Sequence, residues 1–138
     1  METNRPLLHA ETTDHILKAF FRVYNTLGYG FLERVYANAL ALAAKQAGLA
    51  VAREIPVRVE YEGIVVGQYK ADLVVNDAVL VEIKATHALL EEHQAQLLNY
   101  LRATRFEVGL LLNFGPLPQF QRKVFDNSRK GKPGGLPR

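Results

Sequence analysis

The 138-residue chain has no cysteine and no tryptophan. Without thiols it can form neither disulfides nor thiolate metal sites, and it has no cysteine nucleophile. No apolar run approaches the roughly 18 residues that a membrane-spanning helix needs. The opening stretch, METNRPLLHAETTDH, is too polar for a signal peptide, so the cytoplasm is the expected compartment. A glycine-rich phosphate loop is missing too. Gly28-x-Gly30 lacks the further glycine of a dinucleotide turn and follows no strand, which argues against a nucleotide-cofactor enzyme. There is no internal repeat, and no low-complexity stretch before the Gly/Pro-rich end.

The length suits one domain with a real core, and 49% hydrophobic with 22% charged residues is ordinary for a soluble globular chain. The net charge of +3 is unevenly placed. From Gln119 onward six basic residues face only Asp126, whereas residues 1–118 hold 11 basic and 13 acidic residues. The basic character therefore belongs to the tail, which reads as a flexible, solubilising end rather than a dedicated nucleic-acid arm.

Hydrophobic periodicity predicts a helix over 14–27, capped by Thr12 or Thr13, with Ile16, Phe20, Val23, Tyr24 and Leu27 as its buried stripe. A second helix is expected over 31–47, closed by Gly48. Strands follow over 51–61 and 64–69, the latter able to run on as one bent strand to Val75. A third helix is expected over 89–104, a wholly buried strand over 108–114, and an edge strand over 120–125. The connection from Lys84 to Val108 contains a helix, so the strands it joins can lie parallel. The result is a mixed α/β sheet with helices packed on it.

The chain is organised around residues 71–86, ADLVVNDAVLVEIKAT. Two apolar runs flank Asn76-Asp77-Ala78, and into this otherwise buried hairpin fall Asp72, Glu82 and Lys84. Glu82 and Lys84 share a face, and Ile83 points into the core. A three-residue turn would pair Val75 with Val79 and set Asp72 opposite Glu82, whereas a two-residue turn would put Asp72 on the other face. The odd-length turn, or a compensating bulge, is expected. Two adjacent carboxylates ionise together most readily around a cation, and oxygen ligands alone select Mg2+ or Mn2+. The bland alternative is a surface ion pair contributing little. Other polar features are weak alone: Glu33 suits a first helical turn, and His93, Gln96 and Tyr100 form an uncharged stripe on the third helix.

Taken in order, Asp72, then Glu82-Ile83-Lys84, then Gln96-x-x-x-Tyr100 resemble the PD-(D/E)xK nuclease superfamily and the Q-x-x-x-Y motif of its RecB-type members. Gly30-Phe31-Leu32-Glu33-Arg34-Val35-Tyr36 further resembles the signature of the GxxExxY family within it, as do residues 96–101 and 109–115. Ala71 stands where that superfamily often has proline. The resemblance implies a restriction-endonuclease-like αβββαβ core over 13–125, between an N-terminal extension, 1–12, and a flexible basic tail, 126–138.

It also implies a site. Asp72 and Glu82 would ligate Mg2+ (or Mn2+) with the main-chain carbonyl of Ile83, and Glu33 would complete the shell through a water or a second ion. Lys84 would position or deprotonate a water and offset transition-state charge, while Gln96 and Tyr100 would orient Lys84 or a phosphate. His93 would be a phosphate contact or a structural residue, and His87 has no assigned role. The implied activity is phosphodiester hydrolysis in nucleic acid, with DNA favoured. A homodimer would serve two-strand cleavage, and no membrane is involved. The competing reading is a nuclease fold that binds nucleic acid or a protein without turnover.

Overall fold

The apolar stripe of Ile16, Phe20 and Val23 and the alternating residues of the chain's middle resolve into the expected kinds of element. The structure is a computed structural model that describes residues 7–131. In chain order it has α1 (Ala10–Leu27), α2 (Glu33–Gln46), β1 (Val51–Tyr61), β2 (Ile64–Val75), β3 (Val79–Lys84), α3 (Glu91–Arg102), β4 (Val108–Phe114) and β5 (Pro118–Val124), then a 3-10 turn, Asn127–Arg129. The five strands lie side by side in sequence order. All neighbours are antiparallel except β3 and β4, which the α3 crossover makes parallel.

This mixed sheet has helices on both faces. On one, Ile16, Phe20, Tyr36 and Leu40 of α1 and α2 pack on Leu73, Val81, Ile83, Leu110 and Leu112. On the other, Leu97 and Leu101 of α3 pack on Val57, Ala71, Val74, Leu80 and Leu111. All seven residues of β4 are buried, as a central strand covered on both faces requires. The architecture is α/β and consistent with a restriction-endonuclease-like fold.

Several boundaries differ from the sequence reading. Helix α1 starts at Ala10, so the limit drawn at residue 12 falls inside it. Neither threonine caps it. Thr13 lies within the helix and its hydroxyl donates to the Ala10 carbonyl, while the Thr12 hydroxyl accepts from the Asn76 side-chain amide. Helices α2 and α3 are shorter at both ends than expected. Gly48 does follow α2 in a left-handed conformation at φ 87°. The predicted tail is anchored at its start, because Lys130 Nζ donates to the carbonyls of Thr104 (2.7 Å) and Phe106 (2.9 Å). Residues 1–6 and 132–138, and the flexibility expected of them, lie outside the described residues. Among the described residues no helix is long and apolar enough to cross a membrane.

The β1–β2 hairpin is one long bent ribbon. Leu73 packs beneath α1 and α2, yet Ala71, two residues before it, packs beneath α3. In a regular strand those side chains would share a face. The reversal falls at Asp72, where the β1 residue across the ladder, Glu54, adopts φ 54°. The outer half of the ribbon thus rolls over toward α3.

Candidate active site

The β2–β3 turn sets the register. Asn76 and Asp77 adopt left-handed angles near φ 54°, and Val75 pairs with Val79, Val74 with Leu80, and Leu73 with Val81. The next positions are Asp72 and Glu82, which the odd-length turn sets opposite each other. There the backbone ladder ends and the carboxylates replace it. Asp72 Oδ2 accepts the Ile83 N–H at 2.7 Å, and Glu82 Oε2 accepts the Asp72 N–H at 3.3 Å. A strand residue sends its N–H and C=O to the same side, so the Ile83 carbonyl faces this same opening.

The pair is electrostatically unsettled. Glu82 is only 6% exposed, and burial pushes its carboxyl up to about 8, with the charge of Asp72 adding and that of Lys84 opposing. Burial also raises Asp72, against the Ile83 N–H, a hydrogen bond with Glu82 and the positive charges of Lys84 and Arg53. At neutral pH without a cation the two carboxyls therefore retain a proton between them. Lys84 is partly buried, and its Nζ donates to Gln96 Oε1 at 3.3 Å. Burial, then the charge of Glu82, pushes the Tyr100 phenol up to about 12, so it remains a hydrogen-bond donor.

The structure thus groups Asp72, Glu82, Lys84, Gln96 and Tyr100, with the Ile83 main chain among them. It does not bring Glu33 in. Among the described residues no third Asp, Glu or His joins the two carboxylates around a common ion position. Glu33 is exposed in the first turn of α2, beside a hollow that it lines with Ala85 just beyond β3. The motif around it has a clear structural part. The Tyr36 hydroxyl donates to the Gly28 carbonyl (2.7 Å) and accepts the Phe31 N–H (3.2 Å), and its ring stacks on Phe114. That tyrosine braces the turn presenting Glu33. His93 is structural, its Nδ1 accepting the Leu90 N–H at the start of α3.

Sequence reasoning missed Asn113 and Gly115, which hold the loop between Lys84 and α3. Asn113 is wholly buried; its Oδ1 accepts the Thr86 N–H (2.9 Å) and its Nδ2 donates to the Thr86 carbonyl (3.1 Å). One polar residue inside the apolar run GLLLNFG was the signal for it. A Cβ on Gly115 would stand 2.2 Å from the Thr86 carbonyl oxygen. Gly115→Ala should therefore displace this loop and cost about 1–3 kcal/mol, read as a lowered thermal midpoint. An unchanged midpoint would contradict the close approach.

One buried and one partly buried carboxyl that resist joint ionisation, beside a main-chain carbonyl and with no sulfur in reach, form an oxygen donor set suited to a hard divalent cation. Neither the curated proteins nor the solved structures compared with the chain gave a significant match. A family model described as the PD-(D/E)XK nuclease superfamily matches residues 10–124, from the first turn of α1 to the end of β5. The chain belongs to the PD-(D/E)XK nuclease superfamily.

Proposed function

We propose that this domain is a Mg2+-dependent nuclease that hydrolyses phosphodiester bonds in nucleic acid, with DNA preferred and Mn2+ able to replace Mg2+. One observation carries the reading: the carboxyls of Asp72 and Glu82 face each other where the β2–β3 ladder ends, one accepting the Ile83 N–H and the other the Asp72 N–H, and burial disfavours their charged forms. A fold gains nothing from such a pair unless a cation completes it. Asp72, Glu82 and the Ile83 carbonyl would hold the ion, with Glu33 acting from outside that shell through water. When bound, the cation would supply the charge that lets both carboxylates ionise and would acidify a nearby water.

Lys84 contributes a fixed ammonium beside the carboxylates, placed to orient a water and to offset charge on the phosphoryl oxygens as the bond to phosphorus forms. Gln96 fixes that ammonium through its side-chain carbonyl, and Tyr100 offers an O–H to a phosphate oxygen. The G-x-x-E-x-x-Y segment, with Tyr36 bracing its turn, supports placing the chain in the GxxExxY group. We further assign the domain to residues 10–124, so that α1 is kept whole, with a cytoplasmic setting and a homodimer as the working assembly.

The near-neutral body favours one competing reading, a module that binds without cutting, since tight nucleic-acid binders carry dense basic surfaces. Incubating the protein with single- and double-stranded DNA and RNA across a panel of divalent metals separates them. The nuclease reading expects cleavage that EDTA abolishes and Glu82→Gln lacks. No cleavage with any metal, or cleavage that survives Glu82→Gln, would refute it.

A further inference from the structure

Because the β1–β2 ribbon rolls over at Asp72, a groove of about 550 Å3 opens between its outer half and α3. Val59 and Tyr69 form its ribbon side; Ala95, Gln96, Asn99 and Tyr100 form its helix side. It is continuous with the candidate active site. Gln96 lines the groove and accepts from Lys84, and Tyr100 lines it while feeling the charges of Glu82 and Asp72. Whatever occupies the groove therefore lies one residue's reach from the phosphate that Lys84 would meet.

The lining is wrong for phosphate. Among the described residues that line it the only cation is Arg102, which donates to Asn99 Oδ1 (3.3 Å) and leans over the Phe125 ring, while Glu92 adds negative charge at the rim. It is right for a flat heteroaromatic group. The Tyr69 ring is tilted against Tyr100, with centroids 5.7 Å apart, yet the residue remains 49% exposed, which leaves ring surface free for stacking. The Gln96 and Asn99 side-chain amides each carry donors and acceptors, as reading the edge of a base requires.

Resting on the nuclease reading above, we infer that this groove receives one unpaired nucleobase next to the scissile phosphate, stacked on Tyr69. A base inside a duplex has both faces covered by its neighbours and enters only if it is first flipped out at the cost of its stacking and pairing, which an unpaired base does not pay. The substrate class is then a strand with an unpaired nucleotide at the cut, either a single strand or an overhang.

The test is binding of the full chain, in EDTA so that nothing is cut, to a single-stranded oligonucleotide carrying the fluorescent base 2-aminopurine and to its duplex. Stacking should quench the single strand's fluorescence. Tyr69→Ala should weaken single-strand binding about 5-fold to 150-fold and abolish the quench, the range set by stacking of about 1–3 kcal/mol per base. Tyr69→Phe should retain both, and duplex binding should not respond to either change. Wild-type single-strand affinity in Tyr69→Ala, or an equal loss for the duplex, would overturn the inference while leaving EDTA-sensitive cleavage to support the nuclease reading. Tyr69-dependent binding without cleavage under any metal would do the reverse.

Discussion

Lys84→Ala is expected to lower kcat/KM for phosphodiester cleavage by at least about 100-fold to 1,000-fold, the usual scale for losing one charge-stabilising donor. Its thermal midpoint should stay close to the wild-type value. The two halves of that expectation have separate causes. Lys84 sits at the end of β3, partly exposed, and its ammonium donates to the Gln96 carbonyl beside the two carboxyls. Its removal strands no buried backbone group, and a partly exposed polar contact contributes little to stability. The chemical loss is large because the ammonium is held by Gln96 where charge develops, and water in its place would have to reorganise. Lys84→Ala cleaving within a few-fold of wild type would remove lysine from the mechanism.

The second large effect concerns stability. The folded-state Glu82 carboxyl is raised to about 8 from an ordinary value of 4.5. Between those values the folded protein binds more protons than the unfolded chain, so stability falls as pH rises through that window. Asp72 is raised as well and contributes with the same sign. In EDTA the thermal midpoint should therefore drop from pH 5.5 to pH 8.5, by about 3 °C for each kcal/mol of linkage. Glu82→Gln should flatten the profile and raise the midpoint at pH 8.5, and excess Mg2+ should do likewise in the wild type. A wild-type profile in EDTA that is flat, or that rises with pH, would show that the carboxyls are not buried together.

The hairpin was readable because strand alternation admits only two registers, and only the three-residue turn sets Asp72 across from Glu82. The parallel pairing of β3 and β4 followed from a helix-length connection, and the burial of β4 from its unbroken apolar run. Less accessible was the roll of the β1–β2 ribbon. It depends on Glu54, a residue with a Cβ, adopting a left-handed backbone angle, which composition does not announce. Tyr69 stands at the end of the strand expected over 64–69, and the roll carries it against Tyr100. The place of Glu33 was hard to read for a related reason. Its motif fixed the turn, through Tyr36, but not the direction in which an exposed glutamate extends. The early start of α1 escaped notice because Ala10 and Glu11 are compatible with helix and two threonines resembled a cap.

The central claim is that Asp72 and Glu82 together hold a divalent cation, and calorimetric titration with Mn2+ near pH 7 tests it most directly. The account predicts one ion per chain, with a heat that varies with the buffer's ionisation enthalpy because the shared proton is released on binding. Both the affinity and the proton release should be lost in Glu82→Gln and in Asp72→Asn. Equal Mn2+ binding by wild type and both variants, or none by the wild type at millimolar ion, would contradict it.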